Sequence, residues 1–404
     1  LTPLREQEPV ISETEARKLI RENVNPSPGE TASLVEALDR TLAVDVIAPG
    51  DFPPFSYSSF DGYAVRVEDT LSATATHPVE LRIIGTAVAG QVPEVPIEKG
   101  RTLRIMTGAL MPAGADAVVK QEDVEADGET LRLIHSPENG EGVRERGWEV
   151  KKGEVALGKG AMVGPEEIGF LSSLGVETVE VLARPRVVLI MIGDELVSPG
   201  KELSPGKIHT GNALMLHSLV LKYDGIPEDF GIVPDSEEEI SEAMRKAAEG
   251  DMIITTGGSG RGVHDLTSRA FVKSGGRFLF QGVAIWPGGT MSFGLMGNTP
   301  CFMLPGGPRT ASICFHLFVR EALEAVGATD RNFSFRIGAV MLDRLRGRPG
   351  MTNYSLVGLK REGDEYYAER VRTGRRPGRK SALAVLPPGT DRVEKGERVE
   401  IIIV

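Results

Sequence analysis

Residues Asp251–Thr267 read D-M-I-I-T-T-G-G-S-G-R-G-V-H-D-L-T, and their types and spacing suit the binding of an anion. The apolar run Met252–Ile254, bounded by a charge and by threonines, predicts a buried strand. Glycines at 257, 258 and 260 let backbone N–H groups approach an anionic ligand closely. Asp265 adds a carboxylate able to hold a divalent cation or orient a hydroxyl. The structural alternative is a tight strand-to-helix connection whose helix starts on polar residues at Asp265–Thr267. Three further loops carry chemistry: Gly193–Leu196 (G-D-E-L), Pro234–Ser236 around Asp235, and Leu304–Thr310 (L-P-G-G-P-R-T). The last precedes an apolar helix predicted over 311–326, so the amides near Gly306 and Gly307 are placed to meet an anion. Arg372, Arg375, Arg376, Arg379 and Lys380 crowd one short loop, a candidate anion site whose alternative is a solvated face.

Those loops need a scaffold. From Arg186 the chain alternates strands, predicted at 187–192, 229–233 and 252–255, with helices at 213–223, 236–249 and 268–274. The alternation predicts a parallel sheet wound with helices on both faces, with ligands beyond the carboxyl ends of its strands. Upstream, a Ser12–Glu15 capping-box pattern opens a helix over 12–22, and Leu34, Leu38, Leu42 and Val44 repeat the apolar spacing across Thr31–Val46. Asp61-Gly62 closes a serine-rich loop before an alternating strand at 63–67. Short alternating runs at 81–84, 86–88, 102–105, 117–120 and 130–134 predict a small barrel or sandwich. Within it, Thr107 lies in a Thr-Gly turn after the strand at 102–105, and a charged strand-loop segment follows at 143–153. A helix over 165–174 and a strand over 177–182 lead to a boundary at Arg184-Pro185, and short strands between 336 and 404 predict a separate C-terminal β unit. The expected fold class is multidomain α/β plus β. It comprises a linking α+β domain at 10–50 and 145–183, a small β domain at 51–144, a doubly wound, mostly parallel α/β domain at 184–327 and a β domain at 328–404.

Composition narrows the functions available. The 404 residues are 41% hydrophobic, enough for two to four compact units. A net charge of −11 argues against a nucleic-acid footprint and for a small-molecule ligand, so any oxyanion site must be local. Only Cys301 and Cys314 are present, neither in metal-ligand spacing, which predicts a reducing cytoplasm. Leu1–Val10 is polar and no apolar run reaches the length of a membrane span, so neither export nor a membrane is expected.

Taken in order, several short stretches together resemble the molybdopterin molybdenumtransferase family, which includes the bacterial MoeA proteins and the E domain of gephyrin. They are F-D-G-Y-A-V at 60–65, R-I-M-T-G-A at 104–109, D-A-V-V at 116–119, R-G-W-E at 146–149, G-D-E-L at 193–196, G-K-I at 206–208, G-G at 257–258 and P-G-G-P at 305–308. The resemblance implies a wound domain of the molybdopterin-binding type and a homodimer formed through the linking domain. It implies a cytoplasmic transferase of molybdenum cofactor biosynthesis that binds adenylylated molybdopterin, inserts molybdate and hydrolyses the adenylate with Mg²⁺. A molybdopterin adenylyltransferase and acceptor molybdoenzymes are the protein partners it implies. Matching positions nominate Asp61, Thr107, Glu149, Glu195, Asp235 and Asp265 as catalytic, with Glu195, Asp235 and Asp265 as metal ligands. Gly257, Gly258, Ser259, Gly260, Pro305, Gly306 and Pro308 are nominated for the pterin-phosphate pocket. Structural alternatives stand beside these: Glu195 as a helix cap, Asp61 in an Asx turn, Thr107 as a strand end.

The departures from the family pattern are concentrated. Where relatives carry K-x-x-I-K-P-G-K-P, this chain reads G-V-A-I-W-P-G-G-T at 282–290, with Gly282, Trp286 and Gly289 in the lysine positions. Molybdate is a dianion that needs positive charge or many donors to leave water. Arg261, Arg309 and Arg375 are the candidate replacement cations, and Trp286 is a candidate to stack on a ring. The loop at 255–267 is similar to the T-T-G-G-T-G…R-D-x-T signature of molybdopterin adenylyltransferases. Two other readings therefore stay open: a paralogue that carries or senses molybdopterin or finished cofactor without inserting metal, and adenylyltransferase-like activity.

Overall fold

The computed structural model describes residues 10–258, 266–327, 335–371 and 380–404. Two compact units form, one joining the segment up to Gly29 to Leu182–Val404, the other Glu30–Val181.

In the first unit, six strands run in the order Ile226–Val233, Arg186–Ile192, Met252–Thr256, Thr299–Leu304, Ser292–Met296, Gly276–Gln281. The first four are parallel and the last two join antiparallel. Arg186–Ile192 is apolar after its first residue because both faces of the sheet are covered. Side chains alternate along a strand, so Val187, Leu189 and Met191 enter a core with Leu216, Val220, Phe302 and Phe315. Val188, Ile190 and Ile192 enter the opposite core with Ile240, Met244, Ala270 and Phe271. Gly211–Lys222 thus covers one face, and Glu237–Ala247 and Leu266–Lys273 the other, which is the expected double winding.

The helix expected over 311–326 is interrupted. It runs as Pro308–Cys314, a π-helical turn Phe315–Val319, and Arg320–Val326. The turn buries His316, whose Nδ1 lies 3.2 Å from the Tyr223 hydroxyl. Burial first, then the charges of Lys222 and Arg320, push its pKa down to about 3. A group held neutral below its unfolded pKa of about 6.5 gives its full stability above that pH and loses it as pH falls from there toward 3. Unfolding titrations between pH 7 and 4 should therefore show a slope of up to about 1.4 kcal/mol per pH unit that His316→Gln removes. An unchanged profile in that variant would contradict this assignment.

Glu13–Glu22 begins where Ser12 Oγ accepts from the Glu15 amide at 3.2 Å, and it buries Ala16 and Ile20. The sequence groups this helix with the linking part, yet it packs into the wound-sheet core, where Arg17 and Arg21 both pair with the buried carboxylate of Glu321. Toward the C-terminus, Thr352–Glu362 pairs with both Glu365–Arg370 and Lys380–Leu386, closing a five-stranded barrel with Arg336–Met341 and Arg398–Ile403. Ile285–Trp286 adds to it in parallel at Thr352 and Asn353.

The second unit holds a six-stranded sheet in the order Ala117–Lys120, Gly62–Val65, Arg101–Ile105, Val79–Ala87, Thr130–Leu133, Glu125–Asp127. Two runs read separately at 81–84 and 86–88 are one strand, with a register shift between Ile83 and Thr86. The helical spacing across Thr31–Val46 is not a helix. Strand Gly29–Ser33 is followed by turns and by isolated bridges at Thr41 and Leu42, and Asp39 sits at φ +62°. Leu34 and Leu42 reach the core of Val163, Leu171 and Val181 from extended and turn backbone, so a four-residue apolar spacing is satisfied without a helical face.

Candidate functional site

Parallel pairing brings Ile192, Val233, Thr256 and Leu304 to one edge of the sheet, so Gly193, Pro234, Gly257 and Pro305 leave it together. Gly257 has φ +99°, and a Cβ there would stand 1.9 Å from the Ile192 carbonyl oxygen. Gly258 has φ +62° and faces Thr267 Oγ1, which donates to the Gly257 carbonyl at 3.2 Å. Only glycine allows this close approach of turn to strand. The Pro305–Pro308 turn lies against it: a Cβ on Gly306 would be 3.6 Å from Gly257 Cα. Asn212, in the first turn of Gly211–Lys222, joins the two by donating Nδ2 to Thr256 Oγ1 at 2.6 Å and to the Gly306 carbonyl at 2.8 Å. Its Oδ1 is buried without a hydrogen-bond partner among the described residues. The sequence analysis did not single out Asn212; its polar type beside the helix predicted from 213 was the available signal.

Two acidic loops stand beside these turns. The Asp194 amide donates to Asp235 Oδ2 and the Asp235 amide to Asp194 Oδ1, each at 3.2 Å, which locks the loops after Ile192 and Val233 together. Lys207 Nζ donates to the Asp194 carbonyl. Glu195 is exposed and lies over Gly193, where a Cβ would come within 2.5 Å of its Oε2. Glu195 and Asp235 offer hard oxygen donors of the kind Mg²⁺ takes. Among the described residues no group of three or more such donors forms a metal cluster. Asp265, Ser259, Gly260, Arg261 and Arg375 lie outside the described residues. Arg309 donates Nη2 to the Val371 carbonyl at 3.0 Å. Trp286, in one of the lysine positions, has the Arg348 guanidinium 5.1 Å from its ring centroid.

In the second unit, pairing of Gly62 with Ile105 brings Asp61 and Thr107 together. Asp61 Oδ1 accepts from the Thr107 amide at 2.8 Å and from its hydroxyl at 2.9 Å. Those bonds, the amide first, hold the Asp61 carboxyl below the usual carboxylate range. Glu149 is exposed in the R-G-W-E loop, where its amide donates to the Phe52 carbonyl at 2.9 Å. Asp51 anchors that loop, accepting from the Lys152 amide at 2.8 Å and from Arg146 Nε at 2.5 Å. Sequence reasoning missed Asp51, which reads only as part of a proline turn. Glu149 makes no hydrogen bond to Asp61 or Thr107 among the described residues.

The fold and these turns define a multidomain α/β plus β protein with a glycine-built site at the carboxyl ends of parallel strands. A family model for the MoeA N-terminal region, domains I and II, matches residues 11–175, and one for a probable molybdopterin binding domain matches 188–325. Molybdopterin molybdenumtransferase 2 of Mycobacterium tuberculosis is 33% identical over 323 residues, covering 78% of this chain and 80% of its own length. The molybdopterin molybdenumtransferase of Bacillus subtilis is 30% identical over 391 residues, covering 93% and 90%. The crystal structure of a molybdopterin biosynthesis MoeA protein from Pyrococcus horikoshii superposes with a TM-score of 0.79 at 30% identity, covering 98% of this chain and all of that one. This chain belongs to the molybdopterin molybdenumtransferase family. Among its described residues, no helix is long and apolar enough to cross a membrane.

Proposed function

We propose that the chain is an enzyme of molybdenum cofactor biosynthesis that binds adenylylated molybdopterin, inserts molybdate and hydrolyses the adenylate. The observation that carries this reading is the convergence of the Gly257-Gly258 and Pro305–Pro308 turns with the Asp194–Asp235 and Glu195 loops at one sheet edge. Backbone amides of the turns bind the phosphate end, and Asn212 keeps the two turns in register. Glu195 and Asp235 would hold Mg²⁺, which needs only one or two carboxylates when phosphates complete its shell and would supply positive charge to the phosphate. Asp265 and Ser259–Gly260 belong to the same role by their position in sequence. Arg309 is the described cation proposed to meet molybdate; Arg261 and Arg375 are proposed for the same role from their sequence alone. Asp61, Thr107 and Glu149 are proposed to serve a second copy's site in a homodimer. Two free, buried cysteines suit a reducing cytoplasm.

A second reading has its own observation: Gly282, Trp286 and Gly289 carry no charge where the family pattern has lysines. It makes the chain a molybdopterin or cofactor carrier. The experiment follows AMP release from molybdopterin adenylate with Mg²⁺, with and without molybdate. Molybdate-stimulated release supports the transferase. Tight binding that molybdate leaves unchanged transfers the case to the carrier, ATP-dependent formation of the adenylate to an adenylyltransferase, and no hydrolysis with any divalent metal ends the molybdenumtransferase reading.

A further inference from the structure

The helix Glu13–Glu22 carries Glu13, Arg17 and Arg21 at four-residue spacing, so the three side chains form one ladder beside the buried Ala16 and Ile20. Glu13 Oε1 accepts from Arg17 Nε at 3.0 Å. Glu13 Oε2 accepts from the hydroxyl of Tyr354, on strand Thr352–Glu362 of the C-terminal barrel. Arg17 and Arg21 both reach Glu321, in the helix Arg320–Val326 that packs on the wound sheet. All four carboxylate oxygens of Glu13 and Glu321 are thus occupied, and two cations balance two anions. Glu321 and Tyr354 are 5% and 2% exposed. Burial first, then the charge of Glu13, push the Tyr354 hydroxyl well above the usual phenol range, so it stays a donor.

The same segment is tied through its backbone. Ile11 forms a parallel bridge with Val283, and its carbonyl accepts the Ala284 N–H at 2.8 Å. The Ala284 carbonyl in turn accepts the Thr352 N–H at 3.3 Å, and Ile285–Trp286 pairs with Thr352 and Asn353. The rest of the joint is apolar: Tyr354, Leu383, Val385 and Ile402 of the barrel are buried in one core with Phe315, Phe318 and Val326. Apolar burial is non-directional, so closely related angles of the barrel bury similar area. Hydrogen bonds are directional and are lost on a small rotation. Buried ion pairs add little net stability and can instead specify one arrangement among several.

We propose that residues 10–22 act as a strap that fixes the angle of the C-terminal barrel on the wound sheet, with Glu13 as its positioning residue through Tyr354. Arg309, at a helix start beside the sheet, and Arg370, on a barrel strand, line one cleft of about 410 Å³, so this angle sets its width. The strap holds whether or not the chain inserts molybdate.

Trp286 lies at the joint, and Trp148→Phe in the full chain leaves it the sole tryptophan, a local fluorescent reporter. In that background Tyr354→Phe removes one hydroxyl and keeps the ring. It is expected to raise acrylamide quenching of Trp286 about twofold and to speed amide exchange in peptides over 283–286 and 352–355 about tenfold. Exchange across Arg186–Ile192, inside the sheet, should not change. Glu13→Ala should act alike, and the double variant should loosen the joint no further, because the two side chains share one bond. Quenching and exchange unchanged in Tyr354→Phe would show that apolar packing alone sets the barrel and end the proposal. Faster exchange that extends equally to Arg186–Ile192 would make the cluster a general stabiliser and overturn it. Additive loosening in the double variant would deny the shared bond and overturn it as well.

Discussion

Gly257→Ala is expected to destabilise the first unit by about 3 kcal/mol or more and to abolish ligand binding at the sheet edge. The new methyl would stand 1.9 Å from the Ile192 carbonyl oxygen, and the residue would keep φ at +99°, where an L side chain is strained. The obstacle is backbone in the middle of a parallel sheet, so relief requires Arg186–Ile192 and Met252–Thr256 to move apart. Gly258→Ala meets a side-chain oxygen, Thr267 Oγ1, and should cost less. Gly306→Ala has its nearest neighbour at 3.6 Å, an ordinary contact, and should be close to neutral in stability. Denaturant unfolding of the three variants measures the order directly. Equal stabilities for Gly257→Ala and Gly306→Ala would show that the turn does not pack against the strand end in this way.

Glu195→Gln combined with Asp235→Asn is expected to lower the rate of adenylate hydrolysis by about 10²–10³-fold, the range found when a charge-stabilising group is removed from a transition state. The magnesium requirement should shift to higher concentration. The amides are chosen because the Asn carbonyl oxygen can still accept the Asp194 N–H that Asp235 Oδ2 takes now, so the loops stay tied and only charge is lost. Asp235→Ala, by contrast, would free the Asp194 amide and loosen the loop. Single-turnover rates across a magnesium titration decide the matter: unchanged rate and unchanged metal dependence in the double variant would remove both residues from the hydrolytic site.

Much of this arrangement is legible without coordinates because strands and turns announce themselves locally. Arg186–Ile192 and Met252–Thr256 read as buried strands since a sheet covered on both faces demands apolar residues at every position. The paired glycines read as a close backbone approach for the same kind of reason. Thr31–Val46 misled because apolar residues four apart serve a helix face or a chain of turns equally well, and only the partner surface, here Val163, Leu171 and Val181, selects between them.

The sequence by itself determined the fold class, the order of strands and helices from Arg186 to Lys273, the family and the loops at the strand ends, since each depends on residue types within a few positions of one another. The tertiary structure alone decided which distant groups meet. Asn212 reaches Thr256 and Gly306, Asp194 and Asp235 exchange amide bonds, and Glu13–Glu22 joins the wound-sheet core. Closure of the barrel brings Arg344, Arg346 and Arg370 opposite Arg309 and Trp286. Such meetings depend on sheet order and pairing register, which depend in turn on packing summed over whole domains and leave no local mark in the chain.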